Sequence, residues 1–143
     1  MPPEYPNRSS LQLLDAPGDE TENGEAITFP GNEAGNHAKN NIDLNDQLVR
    51  NKSSTFFFRM NSDAMTGAGI FSGDTLIVDR SITHVNGKVV IAILNGELLV
   101  RRLEKTINHI RLLPETNNLA VIEVDPYAEF AVWGVVTYSI HSV

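Results

Sequence analysis

The side chains able to do chemistry in this chain do not fall into the common catalytic or metal-binding patterns. The four histidines, His37, His84, His109 and His141, are scattered, with no i, i+4 pair and no His-Glu-x-x-His set, so the spacing that brings imidazoles together on zinc is missing. There is no cysteine, which removes a thiolate metal site, a cysteine nucleophile and any disulfide framework. No Gly-x-Ser-x-Gly elbow, phosphate-cradling Gly-rich loop or dinucleotide fingerprint occurs. We therefore expect neither a metal nor a cofactor. Asp63, Asp74 and Asp79 remain as carboxylates that could pair for acid–base work. Each falls at a turn or strand end, where Asp ordinarily caps or hydrogen-bonds the backbone, and a structural role is the expectation for all three. The segment that still asks for an explanation is Phe57-Phe58-Arg59-Met60-Asn61-Ser62-Asp63-Ala64-Met65, with Gly69-Ile70 and Ser72-Gly73-Asp74-Thr75-Leu76-Ile77-Val78-Asp79 after it.

The elements that would hold these residues are mostly strands. Runs rich in β-branched, aliphatic and aromatic residues cover Thr55 to Arg59, Thr75 to Asp79, Lys88 to Leu94, Leu98 to Leu103, His109 to Leu113, Val121 to Val124 and Phe130 to Ser142. Turn chemistry separates them at Ser72-Gly73-Asp74, Asn86-Gly87, Asn95-Gly96, Pro114, Asn117-Asn118 and Asp125-Pro126. Asn95-Gly96 is the strongest hairpin signal, because a two-residue turn of this kind needs positive φ at both positions. One short helix is expected near Leu44, Leu48 and Val49, which share a face, with Asp43 or Asn41 as N-cap. There is no βαβ rhythm.

Composition sets the outer limits. The chain has 143 residues, a net charge of −7 and 41% hydrophobic residues, enough for one packed core and too acidic to hold nucleic acid by wrapping its phosphates. Residues 1–40 carry seven acids, two bases and five of the seven prolines, with few large apolar side chains. Such a stretch cannot offset its own ordering entropy, so we expect a mobile arm that docks locally through Ile27-Thr28-Phe29, ahead of a β domain over residues 41–143. The start MPPEYPNRSS lacks a basic stretch followed by an apolar one, and apolar runs such as Val89 to Leu94 are far below membrane-spanning length. A soluble cytoplasmic protein with no membrane contact is expected.

The unexplained segment resembles the LexA/UmuD family of self-cleaving peptidases. In that family a strand runs into a Gly-(Asp/Glu)-Ser-Met turn whose Ser is the nucleophile, followed by a Gly-Ile…Gly-Asp…Val-Asp run. The resemblance continues through Asn86-Gly87-Lys88-Val89-Val90, Gly96-Glu97-Leu98-Leu99-Val100-Arg101-Arg102-Leu103 and Trp133-Gly134-Val135-Val136-Thr137. Phe29-Pro30 and Ile42-Asp43-Leu44-Asn45 look like UmuD rather than LexA. It covers about residues 27–143 and implies a mainly β fold of twisted, mostly antiparallel strands with one or two short helices.

The departures from the family pattern carry the functional reading. The nucleophile position falls on Ala64, between Asp63 and Met65, and the general-base Lys position falls on Arg101, 37 residues further on as the pattern requires. A methyl group cannot attack a carbonyl, and a guanidinium stays protonated in proteins. Ser62 would share a face with Ala64 if the segment were extended, but a two-residue displacement of about 6.6 Å takes a hydroxyl out of reach of the base. The family's scissile bond precedes Phe-Pro, between a small residue and Gly. Here Ile27 and Thr28 precede Phe29, with no Gly in place. No intact catalytic residue is expected.

By resemblance, the chain would be a non-catalytic accessory subunit of an error-prone Y-family DNA polymerase in SOS-response translesion synthesis. It would form a homodimer and bind a RecA-type recombinase filament, with no sequence-specific DNA binding of its own. Two alternatives stay open: a self-cleaving Ser-Lys peptidase or an inactivated variant of one, and a regulator that heterodimerises with an active paralogue.

Overall fold

A computed structural model describes residues 11–14 and 42–143. Eight strands among them form one curled, antiparallel sheet: β1 (Leu11–Leu14), β2 (Thr55–Met60), β3 (Thr75–Asp79), β4 (Val89–Leu94), β5 (Glu97–Lys105), β6 (Ile110–Leu113), β7 (Ile122–Glu123) and β8 (Phe130–Ile140). Their order is β1-β2-β3-β8-β4-β5-β6-β7, so the last strand inserts between β3 and β4. One short helix, α1 (Leu44–Leu48), precedes β2, and its first turn is closed by Asp43, whose carboxylate accepts the Asn45 N–H at 3.0 Å. The mainly β class expected from the strand runs and turns, and the mostly antiparallel arrangement that the resemblance implied, are borne out.

Local chemistry explains most of this. At the β4–β5 hairpin Asn95 has φ 51° and Gly96 φ 86°, the paired left-handed geometry for which Asn-Gly is selected. Two apolar clusters fill the curl. In one, Leu11, Phe58, Met60, Ala64, Met65, Ile70, Leu76, Val78, Ile91 and Val100 pack together, and Phe56 and Phe58 meet Trp133 edge-on with centroids 5.1 Å apart. In the other, Val90, Ala92, Leu103, Leu112 and Val135 are joined by flanking aliphatics.

Two elements differ from expectation. Leu11–Leu14, inside the stretch read as a loose arm, pairs antiparallel with β2 from Leu11↔Met60 to Leu14↔Phe57 and buries Leu11 in the first cluster. The last strand ends at Ile140, where Ser142 had been expected, because His141 leaves the ladder and turns its imidazole to Asp74. The docking segment Ile27-Thr28-Phe29 lies outside the described residues.

Gly134 tests how tightly the inserted strand is held. It pairs with Ile91 beside a register shift, and a Cβ there would lie 2.7 Å from Val78 Cγ1 and 3.3 Å from Arg80 Cγ. The Val78 methyl sits in the core and cannot swing clear, so Gly134→Ala should destabilise the protein by about 1–3 kcal/mol through overpacking. Urea unfolding would read this as a lower midpoint with an unchanged slope.

Candidate functional site

Met60 ends β2, and the chain then turns through Asn61 to Met65 into a short 3-10 turn at Thr66–Ala68. The Ser62 hydroxyl accepts the Ala64 N–H at 3.0 Å, so Ser62 closes a tight turn. The segment is not the extended backbone on which Ser62 and Ala64 would share a face, and the parity argument for a displaced nucleophile falls. Asp63 is exposed at the tip, whereas Ala64 and Met65 are 1% and 0% exposed. The Ala64 methyl is thus part of the apolar core.

Arg101 sits in the middle of β5, opposite Val90 of β4. The residue before it, Val100, packs in the same cluster as Ala64. The residue after it, Arg102, donates from Nε to the Glu115 carboxylate at 2.7 Å and from Nη1 to the Gly87 carbonyl at 2.9 Å. Glu115 ties that strand to the turn: its N–H donates to the Ala64 carbonyl at 2.8 Å, and its own carbonyl accepts the Gly67 N–H at 2.7 Å. A Cβ on Gly67 would meet that carbonyl at 2.7 Å, so the close approach requires glycine. The two positions singled out in sequence are therefore held in one framework. Sequence reasoning missed Glu115, whose only local signal is that it follows Pro114 in a turn.

Arg101 is 8% exposed. Its Nη1 donates to the Val100 carbonyl at 2.8 Å, its Nε is buried without an acceptor, and no carboxylate forms an ion pair with it among the described residues. Burial pushes the guanidinium below its ordinary value, and the Glu97 carboxylate pulls it back. Its side-chain donation is thus to the backbone of its own strand.

The other carboxylates behave as turn-builders. Asp79 accepts from Ser54 Oγ at 3.0 Å and from the Ser81 N–H and Oγ at 2.8 and 2.7 Å. Asp74, 1% exposed, accepts from the Phe71 N–H at 2.8 Å, Ser139 Oγ at 3.0 Å and His141 Nδ1 at 2.6 Å. Burial alone, the largest single influence, pushes both carboxyls up. The surrounding donors outweigh it and hold both below the ordinary 3.8. A catalytic carboxylate pair finds no support in these contacts.

A shallow recess of about 490 Å³ opens beside the turn, lined by Thr66, Gly67, Pro114, Glu115, Thr116 and Asn117. A groove of about 500 Å³ between α1 and the end of β8 includes none of the residues of the turn. No cluster of three metal-ligating side chains occurs among the described residues, and no helix among them is long and apolar enough to cross a membrane.

A strand that runs into the 61–65 turn, within a mostly antiparallel curled sheet, is what the motif resemblance implied, and the tie to β5 through Glu115 is an addition from the structure. Residues 22–137 match the family described as Peptidase S24-like, and the chain belongs to that family. Among curated relatives, Protein MucA of Salmonella typhimurium is 35% identical over 113 residues, covering 78% of this chain and 76% of MucA. Protein SamA of Salmonella typhimurium (strain LT2) is 37% identical over 108 residues, covering 76% and 74%. The LexA repressor of Clostridium kluyveri is 36% identical over 77 residues, 54% of this chain and 38% of the repressor. The LexA/UmuD-like reading of the motif is borne out.

Proposed function

We propose that this chain is a non-cleaving, UmuD-like accessory subunit of an error-prone Y-family DNA polymerase, acting in SOS-response translesion synthesis as a degenerate serine peptidase. The observation that carries this reading is the pair of substitutions seated in the family framework. Ala64 fills the nucleophile position with a buried methyl, and Arg101 fills the base position with a cation that has no titratable amine to offer. The likeness to MucA and SamA over about three quarters of their lengths, against 38% of the LexA repressor, favours an accessory protein over a repressor. In this reading the chain works as a homodimer in the cytoplasm and engages the polymerase subunit and a RecA-type recombinase filament without prior processing.

The test is a tagged chain recovered from damaged and undamaged cells of its own source, with its bound proteins identified and its intact mass measured. A full-length chain accompanied by a Y-family polymerase after damage is the expected result. Recovery of a shortened chain would favour the self-cleaving peptidase. Recovery solely with an active paralogue would favour the heterodimerising regulator.

A further inference from the structure

The end of β8 is fastened to the rest of the sheet by a cluster built on Asp74, the Asp of the Gly-Asp pair in the motif run. Asp74 closes the turn between the 64–70 loop and β3, and its carboxylate is almost wholly buried while meeting three donors from two parts of the chain. Two of them, Ser139 and His141, come from the end of β8, 65 and 67 residues away in sequence. His141 is the one ionisable partner: its ring stacks on Phe71 with centroids 5.1 Å apart, and half of its side chain is exposed, so protons reach it from water. Among the described residues, Arg59 of β2 also packs on this turn, where it donates to the Gly73 carbonyl at 3.1 Å rather than to the Asp74 oxygens. On the β8 side the ladder runs Leu76↔Ser139 and Thr75↔Ile140.

We propose that Asp74 and His141 form a protonation-dependent clasp that holds the end of β8 against the 71–74 turn, tight when the imidazole is charged and looser when it is neutral. A neutral ring can still donate from Nδ1, so the bond survives deprotonation. It then loses charge assistance, which roughly doubles the strength of such a bond. Protonation of the ring puts a positive charge on the donor that faces the buried carboxylate at 2.6 Å, so the clasp tightens toward acid. The clasp bears on the family site by position, because the turn it grips continues the loop that carries Ala64, with the Ile70 N–H donating back to the Met65 carbonyl at 3.2 Å. It also sets how Phe71, Tyr138 and Ile140, at 40%, 40% and 44% exposure, are presented at this end of the sheet. The inference holds whether or not the chain has lost peptidase activity.

Amide hydrogen exchange on the full chain tests it, with protection expressed relative to intrinsic rates at each pH. From about pH 5.5 to about pH 8.5, protection at Tyr138 and Ile140, which face Ile77 and Thr75 of β3, should fall about five-fold, the scale on which a charge-assisted hydrogen bond exceeds a neutral one, while β4 amides stay unchanged. His141→Asn keeps an N–H donor near the Nδ1 position but does not titrate, and should make protection at these residues independent of pH. His109, which lies 2.9 Å from Glu104 on another part of the sheet, is the control, and His109→Asn should leave the effect intact. Protection in the unaltered protein that does not change with pH, or an equal fall in His141→Asn, would overturn the clasp.

Discussion

Ala64→Ser alone is expected to leave the chain at full mass after incubation with an activated recombinase filament, nucleotide and single-stranded DNA, and equally at alkaline pH. In the proposed reading the variant restores a hydroxyl at the nucleophile position, but a hydroxyl is a poor nucleophile until a base takes its proton. The same reading puts Arg101 at the base position, and although burial pushes its guanidinium down, it remains a cation. Its Nη1 is also committed to the Val100 carbonyl at 2.8 Å. A Lys in a Ser–Lys dyad works because desolvation brings its amine near neutrality, a change unavailable to a guanidinium. Intact-mass measurement decides the matter, and a shortened product from the single variant would refute the argument about Arg101. Running Ala64→Ser/Arg101→Lys beside it separates the losses. A product from the double variant alone assigns the block to the missing amine. No product from either moves it to the substrate segment, where Ile27 and Thr28 precede Phe29 without a Gly.

Much of the fold was legible because its signals are local. The Asn95-Gly96 turn, the Asp43 cap and the apolar runs of β4 and β5 each depend on a few adjacent residues, and each stands where expected within a residue or two. The order β3-β8-β4 was not legible, since nothing local to Phe130–Ile140 says which two strands it will separate. Nor was β1: Leu-Gln-Leu-Leu is too short to show a period, and its extended form is supplied by the free edge of β2. At the site, positions 64 and 101 were found through family spacing, whereas Ser62 and Glu115 needed coordinates. Ser62 reads as a spare nucleophile until its hydroxyl is seen closing the turn on the Ala64 N–H. Glu115 reads as an ordinary loop acid until its backbone and carboxylate are seen bridging Ala64, Gly67 and Arg102. The contacts of Glu115 with Ala64 and Gly67, far away in sequence, leave no mark on either neighbourhood of the chain.

Asp74→Ala should be far more damaging than its place in a turn suggests. The substitution removes a carboxylate that is 1% exposed and strands the Phe71 N–H and the Ser139 hydroxyl, while His141, half exposed, turns to water. Two part-buried donors left without acceptors, together with the void, set the expected loss at about 1–3 kcal/mol. Asp74→Asn, which keeps one acceptor oxygen, should cost about half as much. The same carboxylate gives stability a pH dependence whose sign follows from its surroundings. Its pKa in the folded chain is held below the ordinary 3.8, so the unfolded chain takes up its proton first as the solution is acidified. The contribution of Asp74 is therefore complete well above pH 3.8, begins to fall near that value, and is lost as pH drops through the lower folded value. Urea midpoints for the unaltered chain and for Asp74→Asn, measured at neutral pH and at about pH 3, should converge on acidification as the carboxylate share disappears. A gap between the two proteins that stays constant or widens toward low pH would show that Asp74 is not the charged anchor its hydrogen bonds describe.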